Sequence, residues 1–209
     1  MNTDYKKSVF TAAAKVAHLT YQIGESDLLR KKSEEVKMLK IKSKPIQKTI
    51  ANLKETLMEY KKFTGKGRGI AAVQIGILLQ IAVIFIGNDL VTVINPKIIK
   101  KSKKLLIYPE ICMSANPVIA KVTRPAWVEV EYVDENGNKQ FWTNKEDLVI
   151  NRVFQHEIDH MEGIINIDLV GPNELILDSD PEYFKRSKFE TVKETEPKQG
   201  PVSKLKTNS

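Results

Sequence analysis

The run His156-Glu157-Ile158-Asp159-His160 is the part of the chain best suited to chemistry. Its histidines are four residues apart, slightly more than one helical turn, so on a helix both imidazoles project from one face. Val149 and Val153 fall on that face and would give an ion held there an apolar floor. Glu157 leans into the neighbouring sector, where a carboxylate can act on water beside a metal without being a ligand. The plain alternative is a helix with two core or surface histidines, and a glutamate at this place weighs against it. The chain has three histidines, His18, His156 and His160, so the pairing of two of them carries information.

Two histidines do not complete a catalytic metal site, which usually takes three protein ligands and leaves a position for water. Downstream, Asp168 and Glu174 could serve, though nothing in their pattern points to it. Upstream lies Pro109-Glu110-Ile111-Cys112-Met113-Ser114, whose cysteine would be a strong soft ligand as the thiolate. Cys112 is the one cysteine, so an intrachain disulfide is impossible. A lone cysteine is usually a small buried hydrophobe. A third segment is Gly67-Arg68-Gly69-Ile70-Ala71-Ala72-Val73-Gln74. It lacks the Lys-Ser/Thr ending of a phosphate loop. Its small residues suggest backbone that approaches something closely, and Gln74 offers an uncharged N–H donor.

The elements that must position these groups follow from periodicity. Val9 to Leu19 reads as a short helix. Pro45 to Lys62 reads as a longer one, with Ile46, Ile50, Leu53, Leu57 and Tyr60 on one stripe. Leu79 to Ile86 is a nearly continuous apolar run, which predicts a buried strand. Thr92 to Ile99 predicts another, interrupted by Pro96. Trp127 to Val133 alternates and is followed by Asn136-Gly137 and Lys139 to Trp142, a strong hairpin signal. Thr143 and Glu146 have the spacing of a capping box, so a helix is predicted from there to about Glu162, stopped by Gly163. Beyond Pro172 the pattern is lost, and Lys193 to Ser209 has the composition of a disordered tail. These elements predict an α+β domain.

The chain of 209 residues, 42% hydrophobic and 28% charged, is long enough for one domain with a sizeable core. No apolar run is long enough to cross a bilayer. Met1 to Leu19 has no signal-peptide core, so a helical N-terminal extension is expected, with an organelle transit peptide as the other reading. The net charge of +7 comes partly from lysine pairs such as Lys31-Lys32 and Lys103-Lys104. Such runs are usually solvated surface. They could favour an acidic partner such as ribosomal RNA, but no specific nucleic-acid motif accompanies them.

Taken in order, G-x-G-I-A-A-x-Q, E-x-C-x-S and H-E-x-D-H resemble the three motifs of peptide deformylases. The resemblance runs from about Tyr21 to Val170 and includes Leu28-Leu29-Arg30-Lys31, Val122-Thr123-Arg124-Pro125 and Met161-Glu162-Gly163. It implies mixed or antiparallel sheets packed around a central catalytic helix that carries H-E-x-D-H. Residues 21–172 would form the metallohydrolase domain, between an extension of 1–20 and another of 173–209. It further implies removal of the formyl group from the N-terminal methionine of new polypeptides. Cys112, His156 and His160 would bind one divalent metal ion, Fe(II) first, with Zn, Ni or Co able to occupy such sites. Glu157 would be the proton carrier, and Gln74 with the backbone N–H of Met113 would stabilise the oxyanion. Gly69 would contact the extended substrate through its backbone, and Glu110 and Arg124 would pair beside the metal segment. Asp159 reads as structural. A reducing cytoplasm or organelle matrix suits the thiolate, and transient ribosome association would suit the substrate.

The chain departs from the family around the expected methionine pocket. Ile111 stands where the family has glycine, Arg68 where it has a small or apolar residue, and Arg152 where an apolar wall is expected. Arg68 or Arg152 would then narrow the pocket or bind an acidic substrate group. Competing readings are a hydrolase of another N-acyl peptide or small formamide, a zinc peptidase with a ligand other than Cys112, and a non-catalytic, metal-stabilised protein associated with ribosomes.

Overall fold

The computed structural model describes residues 11, 13–177 and 183–192. The start of the expected Val9 to Leu19 helix and the expected disordered tail lie outside the described residues. Among the described residues, nine strands form two antiparallel sheets. The first has the order β1 (Gly69–Ala71), β2 (Ile81–Ile86), β3 (Asp89–Lys101), β6 (Val128–Val133), β7 (Lys139–Trp142). The second has the order β8 (Leu175–Leu177), β5 (Val118–Pro125), β4 (Leu105–Ile111), β9 (Glu190–Thr191). Helix α1 is Lys44–Thr64, α2 is Leu148–Met161, and α3 is the single turn Tyr183–Arg186.

The apolar run of β2 has a structural reason. Ile81, Val83 and Phe85 pack with Ile50, Leu53 and Leu57 of α1. Ala82 and Ile84, on the other face, pack with Ile150 and Phe154 of α2 and with Val128 and Val130 of β6. A sheet covered on both faces needs apolar residues at both parities of the strand. Helix α2 is thus central, with the first sheet on one side and the second, which leads into Cys112, on the other.

Three expectations are corrected. Helix α2 is not capped by Thr143 and Glu146; Asp147 is the N-cap, accepting from the Ile150 N–H at 3.0 Å. Pro96 does not interrupt its strand. β3 continues to Lys101, and the ladder with β6 shifts register between Ile94 and Lys97, where a bulge absorbs the proline. The loss of pattern beyond Pro172 is not a loss of structure, because β8 and β9 add strands to both edges of the second sheet. That sheet was not legible in advance. Leu105–Ile111 contains Pro109, which argues against a central strand, but outside Leu106 and Ile107 the outer edge of β4 has no strand partner among the described residues.

Candidate active site

Helix α2 presents His156 and His160 to the turn that follows β4, where Cys112 sits. The Cys112 Sγ, one ring nitrogen of His156 and one of His160 lie within 4.8 Å of one another. Sγ is 3.2 Å from His160 Nε2. His156 turns its Nδ1 to Glu110 Oε2 at 3.0 Å, which leaves Nε2 for the cluster. Of the three ligand candidates from the sequence, Cys112 is therefore the one brought together with the histidines. Asp168 instead pairs with Arg30 and accepts from the Ile165 N–H, and Glu174 lies outside the group. A thiolate and two imidazoles, all buried or nearly so, are a donor set that fits a borderline divalent ion.

Glu110 organises the back of this cluster. Its Oε1 accepts from Arg124 Nε at 2.7 Å and from Arg152 Nη1 at 2.6 Å, and its Oε2 accepts from Arg124 Nη2 at 3.0 Å. Burial alone would raise its pKa, but the Arg124 charge and the hydrogen bonds of His156 and Arg124 hold it well below the usual carboxylate range. Arg124 also donates to Asp159 at 2.6 Å. Asn166, which belongs to none of the three motifs, donates to the Glu110 carbonyl at 3.1 Å.

Arg152 forms part of the cavity wall, but its N–H groups point away from the open space. Beyond Glu110 they reach the carbonyls of Val122 at 3.1 Å and Leu106 at 2.8 Å. Of the two arginines expected to meet a substrate, only Arg68 is exposed. Ile111 ends β4, paired with Ile119, without the positive φ that would demand glycine. Its side chain lines the same cavity.

Glu157 is 4% exposed, and its Oε2 has no hydrogen-bond partner. Burial pushes its pKa up to about 7. The carboxylate lies against Gly69, where a Cβ would come within 2.4 Å of Oε1. This explains the second glycine of the loop: only a residue without a side chain lets the carboxylate sit there. Gln74 is buried too. Its Oε1 accepts from the Ala71 N–H at 2.9 Å, and its Nε2 donates to Ser114 Oγ at 3.0 Å and faces Cys112 Sγ at 3.7 Å. Met113 follows Cys112 and lines a cavity of about 490 Å³ shared with Gly69, Gln74, His156 and Glu157.

The model of the polypeptide deformylase family matches residues 20–175, well over half of the chain. This chain belongs to the polypeptide deformylase family. Peptide deformylase 2 of Clostridium acetobutylicum is 39% identical over 149 residues, covering 71% of this chain and 93% of that one. The peptide deformylase of Thermotoga maritima is 32% identical over 142 residues, 67% of this chain and 85% of that one. Its crystal structure superposes with a TM-score of 0.62 at 30% identity, covering 73% and 97% of the two chains. A peptide deformylase from Synechococcus elongatus in complex with actinonin gives 0.63 at 31% identity, covering 73% and 78%. The deformylase fold of antiparallel sheets around a helix is the fold found here, as the motifs implied.

Proposed function

We infer that this enzyme removes the N-formyl group from newly made polypeptides, with Glu157 carrying the proton. The observation that carries the residue assignment is the buried, unpartnered Glu157 Oε2 in one cavity with His156 and Met113, beside the Cys112 and His160 donors. Cys112, His156 and His160 would hold the divalent ion. When bound, such an ion acts as a Lewis acid that makes water easier to deprotonate and polarises a carbonyl.

Each other step belongs to the chain. Glu157 takes a proton from the water that attacks the formyl carbon. It returns that proton to the amide nitrogen as the C–N bond breaks, leaving a free amine and formic acid, which gives up its own proton to become formate. Gln74 Nε2 and the Met113 N–H are the donors for the carbonyl oxygen as it gains charge. Gly69 offers backbone to the extended peptide. Glu110, clamped by Arg124, fixes the ring of His156 through Nδ1.

Fe(II) is the ion we assign, with Zn, Ni or Co as substitutes; metal analysis of protein isolated without oxygen tests this. A thiolate ligand fits a reducing cytoplasm or organelle matrix. The substrate, a chain emerging from the ribosome, implies transient ribosome contact, and salt-sensitive co-sedimentation with ribosomes checks it. No helix among the described residues is long and apolar enough to cross a membrane.

The decisive experiment is anaerobic turnover of a formyl-Met tripeptide by Fe(II)- or Ni(II)-loaded protein, with Glu157→Ala as control. Formate release that vanishes in the variant is expected. Release that persists would remove Glu157 from the mechanism, and none from metal-loaded wild type would remove the reaction.

A further inference from the structure

The region beyond residue 175 lies outside the family match, yet part of it returns to the active site. β9 pairs with β4 through Leu106 to Thr191 and Ile107 to Glu190, and the Val192 N–H donates to the Leu105 carbonyl at 3.2 Å. The Phe189 ring stacks on Tyr108 with centroids 4.2 Å apart and planes 18° apart. The Arg152 guanidinium lies 5.8 Å from the Phe189 centroid and 5.9 Å from that of Tyr108. This end of the segment is thus tied to the strand before Cys112 and to the helix that carries His156.

The other end reaches the opposite bank. Phe184 and Lys185 line the cavity together with Gly67 and Arg68. Lys66 places its Nζ 5.3 Å from the Phe184 centroid. The strap is therefore anchored on β4 and also borders the loop before β1, the two walls between which an extended peptide must leave the site.

We propose that Tyr183–Thr191 roofs the substrate cavity and that Phe184 selects against large side chains at the second residue of the formyl-peptide. With the formyl group at the Cys112, His156 and His160 cluster, the first side chain has the floor of Val149 and Val153. An extended chain advances about 3.3 Å per residue. The next side chains then pass under the strap, where an aromatic ring already fills space. Phe189 positions that ring by holding the strap to Tyr108. The proposal rests on the deformylase reading of the site.

The test compares formyl-Met-Ala-Ser with formyl-Met-Trp-Ser on metal-loaded wild type, Phe184→Ala, Phe184→Leu and Phe189→Ala. Turnover is read as kcat and KM. Binding of the intact peptides is read as Kd on the same proteins carrying Glu157→Ala, so the roof is tested even without turnover. Wild type should prefer the alanine peptide by about tenfold, expressed in KM and Kd, which is the scale for filling or emptying a pocket by a few carbons. Phe184→Ala and Phe189→Ala should reduce that preference to within about threefold, and Phe184→Leu should restore part of it. Equal profiles in all four proteins would overturn the proposal. So would a uniform gain for both peptides, which would make the strap an obstruction rather than a selector. Absence of formate release alongside a selective Kd pattern would sink the reaction and leave the roof standing.

Discussion

Glu157 and Gly69 form one packed unit. Gly69→Ala would place a methyl group against the Glu157 carboxylate, which must then swing away. Turnover should fall about a hundredfold or more with metal content unchanged, since the ligands are untouched. A variant that keeps its rate would show that the base has room to spare. The same carboxylate must be ionised to accept a proton, so activity should fall as pH drops. Burial raises its pKa to about 7 and a cation beside it favours the ionised form, so the midpoint should lie near or below neutrality. A pH profile of kcat/KM with an acidic midpoint clearly above 7 would contradict this. At Arg68, the exposed arginine of the cavity rim, alanine should raise KM for peptides with an acidic residue more than for neutral ones.

Glu110 contributes to the acid sensitivity of stability. Its folded pKa lies below the unfolded value, so its contribution is fully present above about 4.5 and is lost as pH falls through that value toward the folded one. Glu110→Gln leaves Arg152 buried without a carboxylate and Arg124 with Asp159 alone, and should cost several kcal/mol near neutral pH. The gap in unfolding free energy between wild type and variant should narrow below pH 4.5. A constant gap would place the acid sensitivity elsewhere.

Among the elements, α2 must be held in rotation and in height for its histidines to meet Cys112. Asn151, fully buried one turn before Gln155, does much of this. Its Oδ1 accepts from the Val128 N–H at 2.9 Å and from Trp142 Nε1 at 3.1 Å, and its Nδ2 donates to the carbonyls of Asn144 and Asp147. Asn151→Ala would strand two buried donors, the Val128 N–H and Trp142 Nε1. A loss of about 3 kcal/mol in denaturant unfolding is expected, and a loss below about 1 kcal/mol would show that water replaces the side chain. The far end of α2 is fixed by Gly163, with φ of 77° and no room for a Cβ beside the Arg30 carbonyl. The helix stop was legible from that glycine, whereas its N-cap was misplaced by four residues because Thr143-x-x-Glu146 and Asp147 offer equally good local chemistry.

For the whole molecule, an ion held by Cys112, His156 and His160 would tie the second sheet to the central helix. Binding that occurs only in the folded state adds its free energy to stability. Stripping the ion with a chelator should lower the unfolding free energy by about 3 kcal/mol or more, read as a fall in the thermal midpoint that re-addition reverses. An unchanged midpoint would mean that the site is held together without the ion.

The sequence by itself determined the chemistry. Periodicity put both histidines on one helix face, and residue types marked the candidate donors, the candidate proton carrier and the close backbone approach, because these signals are local and span a turn or a loop. Tertiary structure supplied the meeting of the third donor with them, since Cys112 and His160 come together only when a strand and a distant helix pack. It also decided what Arg152 does. One turn before His156 it reads as a pocket wall, but Glu110, forty-two residues away, takes its charge. The strap was least legible of all. Two residues of β9 and one turn of helix carry no periodicity of their own, and their order comes from the edge of β4 and the ring of Tyr108.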